Sequence, residues 1–550
     1  MLTASRWPRW MASSILRELK RVEIVPQLVK IAAWLREARG RKRLLVAAGL
    51  GAVSALAYAP FYAWPLLFLT FPCLVWMIDC AGAAPRPWLA AAVAGWAFGF
   101  GYFLVGLHWV GFAFVVDAAT HAWQLPFVAV LFPGGLALFF ATAAGLARLR
   151  WSNGPSRIAM LAASVSASEW LRGHLLTGFP WNLPGYVWGG WDAMFQSASL
   201  FGIYGLSLIT LMIMLSPATL IHGDGKPSRA TWPFAALLSV LLALFVFGWL
   251  RLPAGPAPTF EGIALRIVQP NVPQAEKWRP DLLERNWRLL LDLTRQPGLE
   301  KRTHVVWTEA APPFFLLQEP EALRVIAAVL ADSTTLLTGT VRIEEGEGKR
   351  RYFNSMTAVS GDGRVLAVYD KSHLVPFGEY LPLFQLLEPL GITKLTGGSG
   401  GGYTEGAGIK TLAIPHTPSF SPLICYEVIF SGAVVEAGHR PEWLVTMTDD
   451  SWFGPWTGPY QHLGIAKVRA AEEGLAIVRA ANTGVSAVID PYGRIVTSLG
   501  LDQAGILDAT LPKPLNPTLF SQLGDVLFGV MLIASVGVGF FFCRSPQQDG

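Results

Sequence analysis

The sequence predicts a membrane-embedded α-helical bundle of about eight spans joined to an extramembrane α/β domain. Three observations carry this. Charged residues make up 15% of the 550, 52% are hydrophobic, and mean hydropathy is +0.41; a soluble chain of this size carries about 25% charge. Apolar stretches near the bilayer-spanning length of about 20 residues recur through the first half. Between them and a last apolar stretch, short apolar runs alternate with amphipathic ones, the pattern of an α/β domain.

The N-terminal segment 1–43 is basic, with Arg6, Arg9, Arg17, Lys20 and Arg21 followed by Arg36, Arg39, Arg41, Lys42 and Arg43. No small-residue cleavage site follows a short apolar core, so it reads as an uncleaved start. Residues 1–35 fit either a surface-lying amphipathic helix or a loosely ordered tail. Candidate spans follow at 44–60, 62–80, 88–115, 125–148, 158–176, 194–221 and 232–252, a seven-span domain over 44–252, and an eighth lies at 526–543. Loops after the second, fourth and sixth spans carry Arg86; Arg148, Arg150 and Arg157; and Lys226 and Arg229, and the alternate loops are poor in Lys and Arg. With Arg544 in the tail 544–550, this places both termini in the cytoplasm of a bacterial inner membrane and the α/β domain in the periplasm.

The fifth span carries Glu169 and Arg172, three apart and so on one helix face. Charges at membrane depth are costly and usually paired. These two either only neutralise each other or also hold a polar lining beneath the α/β domain. The aromatic, turn-rich loop 177–182 follows, placed to anchor in the headgroup layer.

A linker at 253–260, rich in proline, opens the α/β domain of 261–510. Strands read at 263–268, 304–307, 336–343, 355–360, 365–369, 443–448, 475–479 and 485–489, and helices at 281–294, 319–332 and 461–473. Another apolar run, Ser421-Pro422-Leu423-Ile424, reads as a buried strand ending in Cys425-Tyr426-Glu427. Gly397 to Gly402 reads as a mobile loop, and 511–525 as the connector to the last span.

The net charge of +5 sits beside apolar segments and does not suggest nucleic acid. Four cysteines give neither a disulfide framework nor zinc spacing; no metal or cofactor is expected. Cys73, Cys80 and Cys543 lie in apolar runs, whereas Cys425 is alone in the α/β domain. A free cysteine is usually a buried small hydrophobe. In an oxidising compartment it is either inaccessible or kept for chemistry. Glu309, Lys371 and Cys425 each follow a strand-like run, where α/β proteins place their chemistry. A thiol, a carboxylate to take its proton, and an ammonium with the Tyr426 N–H beside the oxyanion make a set for attack on a carbonyl.

The surrounding residues carry a resemblance. Tyr369-Asp370-Lys371-Ser372-His373-Leu374-Val375-Pro376-Phe377-Gly378-Glu379 resembles the lysine motif of the nitrilase superfamily, in its apolipoprotein N-acyltransferase branch. Ile424-Cys425-Tyr426-Glu427 resembles that family's nucleophile motif, Trp452-Phe453-Gly454 with Gln461-His462 the segment after it, and Asn482-Thr483-Gly484 a late strand motif. The resemblance covers nearly the whole chain. It implies an αββα sandwich for the α/β domain. It also implies acyl transfer from a phospholipid, typically phosphatidylethanolamine, through a Cys425 thioester to the N-terminal amine of a diacylglyceryl-cysteine apolipoprotein. Glu309 is then the general base, Lys371 the oxyanion stabiliser and Cys425 the nucleophile. Glu379, Trp278, Tyr426, Glu427 and Trp452 match supporting or substrate-side positions. A monomer among membrane lipids is expected.

Two positions depart from the family pattern: Thr308 stands where proline is usual, and Asp449 where asparagine is usual. Residues 314–317 and 383–390 fit either lids toward lipid or ordinary packing. His373 and His462 lack metal-ligand companions and read as hydrogen-bonding neighbours of the motifs. Two competing functions remain: a membrane-anchored nitrilase-type amidase with water as acceptor, and a transporter with a periplasmic binding module.

Overall fold

Strand alternation builds the α/β domain from two sheets. In the computed structural model, which describes residues 24–228, 230–346, 349–387 and 402–541, strand β1 (Thr259–Gln269) turns Leu265 and Ile267 to one face and Val268 to the other. Successive side chains of a strand point to opposite faces, so each sheet carries two apolar surfaces. The first sheet contains β1, β2 (His304–Val306), β3 (Thr335–Gly346), β4 (Lys349–Val359), β5 (Val365–Asp370) and β11 (Gly505–Pro512) in the order β11-β1-β2-β3-β4-β5. The second contains β6 (Phe420–Ile424), β7 (Trp443–Thr448), β8 (Ala476–Ala481), β9 (Ser486–Ile489) and β10 (Ile495–Leu499) in the order β10-β9-β8-β7-β6. Leu265, Ile267, Val306, Leu337 and Met356 of the first sheet meet Ile424, Trp443, Val445, Met447 and Val478 of the second in one buried layer. The helices Leu283–Thr294 and Pro320–Val329 cover the outer face of the first sheet through Trp287, Leu290, Leu291 and Ile326. The helix Thr457–Glu473 covers the second. This is the expected αββα sandwich. The strand-like runs fall on strands, with two additions, β10 and β11. Strand β1 begins inside the expected linker, and β11 ends inside the expected connector.

Each of the eight candidate spans falls on a helix, and among the described residues five helical segments are long and apolar enough to cross a membrane: Trp64–Ala83, Pro87–Gly106, Ala118–Leu149, Met194–Leu220 and Trp232–Arg251. The other three candidates fall on Gly40–Ser54, Ser156–His174 and Val526–Phe541, of 15, 19 and 16 residues; the second of these carries Arg157, Glu169 and Arg172. The expected span 88–115 ends early, at Gly106. The Gly106 carbonyl accepts from the side-chain amides of Asn182 (3.1 Å) and Gln461 (3.2 Å). These satisfy a terminal acceptor that a further turn would otherwise take, and the chain continues as a 3₁₀ segment, His108–Phe114.

Residues Ile24–Glu37 form a helix, of which Ala32 and Leu35 are buried. Its Arg36 donates to the Gly223 carbonyl at 2.7 Å, and Arg157 pairs with Asp79 at 3.6 Å, so several of the basic residues used for orientation gather with the 222–226 loop. Arg6, Arg9, Arg17, Lys20, Arg21, Arg229, residues 388–390, the glycine run through 401, Cys543 and Arg544 lie outside the described residues.

Candidate active site

The parallel strands β2, β6 and β7 end at the same edge of the sandwich, and the functional side chains sit just past those ends. Glu309 follows β2 on a backbone that crosses Gly339 of β3. A side chain at Gly339 would bring its Cβ to 2.6 Å from the Glu309 Cα, so only glycine admits this path. Lys371 follows β5, with its N–H extending the ladder to the Asn354 carbonyl at 2.8 Å. Cys425 follows β6 at φ +50, a left-handed conformation that costs a non-glycine residue about 1–3 kcal/mol. The neighbours hold it there: the Ile424 N–H donates to Glu427 Oε2 at 2.7 Å, and His462 Nε2 donates to the Cys425 carbonyl at 3.2 Å.

The three sequence-identified residues share one buried pocket. Glu309 is 8% exposed, Lys371 1% and Cys425 7%. Lys371 Nζ lies 3.8 Å from Glu309 Oε1 and 2.9 Å from the Glu379 carboxylate. Asn354 donates through Nδ2 to both acids, at 2.7 Å to Glu309 and 2.8 Å to Glu379. The second Glu309 oxygen accepts the Asp449 N–H at 2.8 Å.

Burial raises the Glu309 carboxyl above the usual carboxylate range, against the pull of Lys371. Burial opposes the charge on Lys371, but Glu379, Glu309 and Cys425 override it and hold the amine above its ordinary value. Burial, followed by Glu309, pushes the Cys425 thiol well up in spite of Lys371. The resting pocket therefore holds a neutral thiol beside a fixed cation and a carboxyl whose proton affinity has been raised. That is the state from which a base-assisted thiol attack starts.

Glu427 joins the two sheets. Its Oε1 accepts from Tyr369 OH (2.6 Å), the Ser372 N–H (2.8 Å) and the Ser372 hydroxyl (2.9 Å), while Oε2 holds Ile424 at the end of β6. Tyr426 points the other way, toward the membrane helices, and its OH donates to the Gly178 carbonyl at 2.7 Å. His373 adds a bond from Nε2 to the Thr177 carbonyl at 2.7 Å. Arg172, paired with Glu169, donates to the carbonyls of Phe179 and Trp181. The fifth candidate span thus does more than neutralise a charge, because Arg172 fixes the 177–182 loop that Tyr426 and His373 grip. Trp278 is 38% exposed and Trp452 half-buried; they lie in the segments that follow β1 and β7. Phe314 packs against Trp287, so that part of the 314–317 run is ordinary packing.

Comparisons with known proteins agree with this architecture. Residues 50–216 match the apolipoprotein N-acyltransferase N-terminal domain, and residues 265–515 match the carbon-nitrogen hydrolase family. The apolipoprotein N-acyltransferase of Rhodopseudomonas palustris is 47% identical over 92% of this chain and 96% of its own. That of Brucella melitensis is 41% identical over 93% and 98%. The chain belongs to the apolipoprotein N-acyltransferase family. It is an acyltransferase of the carbon-nitrogen hydrolase superfamily. Among solved structures, an amidase from Nesterenkonia sp. aligns over 47% of this chain and 94% of its own, at 18% identity and a TM-score of 0.33.

Several residues of this candidate site, Asn354, Lys277 and the partners of His462 among them, escaped the sequence reading. Asn354 bridges the two acids from the middle of β4, where asparagine is disfavoured; that misfit was its one signal. Lys277, next to Trp278, donates to the Glu309 carbonyl at 2.8 Å and to Asp449 Oδ2 at 2.6 Å. Behind Cys425, His462 Nδ1 lies 3.0 Å from Asp450, which Arg479 binds at 2.6 Å. Burial works against the Asp450 charge, but Arg479 and His462 override it and hold the carboxyl well below its usual range.

Proposed function

We propose that this enzyme moves an acyl chain from a phospholipid, with phosphatidylethanolamine the expected donor, to the α-amine of a diacylglyceryl-cysteine apolipoprotein through a thioester on Cys425. Glu309 takes the thiol proton as sulfur attacks the ester carbonyl. Lys371 and the Tyr426 N–H face the oxyanion. The C–O bond breaks, Glu309 returns the proton to the departing lysophospholipid oxygen, and the thioester remains. In the second half the amine attacks the thioester carbonyl, Glu309 removes its proton, the C–S bond breaks and the thiolate is reprotonated.

The observation that carries this reading is the joint burial of Glu309 and Lys371 in the electrostatic environment of a strained Cys425, whose next residue is bonded to a membrane-side loop. That junction suits substrates with acyl chains, because withdrawing a chain from the bilayer costs about 0.8 kcal/mol per CH₂. We read eight spans, both termini in the cytoplasm of an inner membrane, and a monomer with its catalytic domain in the periplasm.

The test is to incubate the full-length protein with phosphatidylethanolamine and a diacylated lipopeptide. Intact-protein mass spectrometry should show an acyl adduct absent from Cys425→Ala, and the peptide should gain an N-acyl chain. Free fatty acid without N-acylated peptide would replace the transferase reading by the hydrolase one, and indifference to Cys425→Ala would favour transport.

A further inference from the structure

Lys277 and Asp449 are buried together behind Glu309, and neither is needed to describe the reaction above. The ammonium of Lys277 holds Glu309 by its main chain, donating to the carbonyl at 2.8 Å. The same nitrogen is 2.6 Å from Asp449 Oδ2, and the N–H of Asp449 is the donor that fixes Glu309 Oε2. Asp449 Oδ1 is held in turn by Asn482 Nδ2 at 3.0 Å and by Ser451. Glu309 is thus gripped at its backbone and at one carboxylate oxygen by two residues that grip each other. A lone buried charge of either sign would be costly, and removing one partner of such a pair leaves the other uncompensated.

We infer that the Lys277–Asp449 ion pair is a positioning device for Glu309, aiming its carboxylate while the two added charges cancel beside it. It also lets a carboxylate stand at position 449, whose N–H bonds Glu309. A carboxylate there would by itself favour the protonated base, and Lys277 offsets it. The inference rests on the reading of Glu309 as general base. The other groups facing Glu309 are Lys371 and Glu379 from the segment after β5, Cys425 from the end of β6, and Tyr403. Asp450 is turned to Arg479 and His462.

The experiment is the pH dependence of kcat/KM for N-acylation of a diacylated lipopeptide by the full-length protein in phosphatidylethanolamine-containing micelles. Lys277→Met leaves a negative charge beside the base and should move the acidic limb to higher pH. Asp449→Asn leaves a positive charge and should move it to lower pH, each by about half a pH unit or more. The double variant should bring the limb back toward its original position, because the charges that cancelled are both gone. Asp449→Asn nearly preserves shape, so it carries the test even if Lys277→Met folds poorly. An unmoved limb in Asp449→Asn, or a double variant no closer to the parent than either single, would overturn the inference. Glu309→Gln separates the two levels: if it is inactive while the limbs stay put, only the pair fails, and if it keeps transfer with an unchanged acidic limb, the base assignment fails and the pair with it.

Discussion

The helix Leu283–Thr294 over the first sheet and the helix Thr457–Glu473 over the second occupy equivalent layers but live in different surroundings. The first buries one stripe, Trp287, Leu290, Leu291 and Leu293 among it, and leaves Glu284 and Arg288 in water. The second is buried along nearly its whole length, because the membrane helices press on the side that the sheet does not cover. Two of its buried polar residues reach outward: Gln461 accepts from the indoles of Trp109 (3.0 Å) and Trp181 (2.8 Å), and Arg469 donates to the Val428 and Ile429 carbonyls and to Tyr186 OH. The half of the sandwich that carries Cys425 is fastened to the bundle. The half that supplies Glu309 and Lys371 is covered on its outer face by amphipathic helices. The difference suggests that Cys425 is registered against the helical bundle and the charges are brought to it.

Deleting the sulfur should have the largest effect. Cys425→Ala should lose acyl adduct and lower transfer by about 10³-fold or more, read by mass spectrometry and by lipopeptide acylation; a small loss would remove the centre of the comparison. The pH profile tests the charged half. Because the folded-state Glu309 carboxyl is raised by burial, its ionised form and the activity that needs it should fade as pH falls through a value above the usual carboxylate pKa of about 4.3. A limb at or below that value would contradict the buried base. Since a raised carboxyl favours the protonated fold, the charge state needed for catalysis is also the one that burial disfavours, and stability contributed by protonated Glu309 should decline as pH rises through the same range.

The fastening itself is tested by Arg172→Ala, which leaves Glu169 buried without its counter-ion, the Trp181 carbonyl without its side-chain donor, and the Phe179 carbonyl with the Trp181 N–H alone. The expected cost is about 3–5 kcal/mol, seen as a lower thermal midpoint in detergent. Tyr426→Phe removes a single bond to Gly178, worth about 1 kcal/mol, and should slow transfer several-fold with little change in midpoint.

The same contrast explains what could be read in the sequence. The helices over the first sheet show their stripe as a 3.6-residue period because one side meets water. Thr457–Glu473 is enclosed, so small and polar residues are spread round it, and the reading of 461–473 missed its first turn. Candidate spans were legible as apolar runs, but the end of one at Gly106 depends on Gln461, far along the chain. Strand β11 pairs antiparallel with β1 from the opposite end of the domain, and β10 is a partly exposed edge, so neither carries a strong local signal. Glu309, Lys371 and Cys425 stood out because each ends an apolar run. Lys277 acquires its place only when separate segments converge, which no local pattern records, and Asn354 shows in the sequence only as a polar misfit within a strand.

The smallest expected effect lies on the solvent side of the comparison. Arg288 sits 2.5 Å from Glu284 one turn away, with both side chains more than two-thirds exposed. Water screens such a pair, and holding two long side chains together costs entropy, so exposed pairs of this kind contribute little. Arg288→Ala should therefore leave the thermal midpoint and kcat/KM unchanged. The matching change on the enclosed helix, Arg469→Ala, strands Glu472 and two backbone carbonyls of the turn that begins at Cys425, and should impair both. A loss of transfer in Arg288→Ala comparable to that in Arg469→Ala would mean that the water-facing layer also steers the nucleophile, and the asymmetry between the two halves would no longer hold.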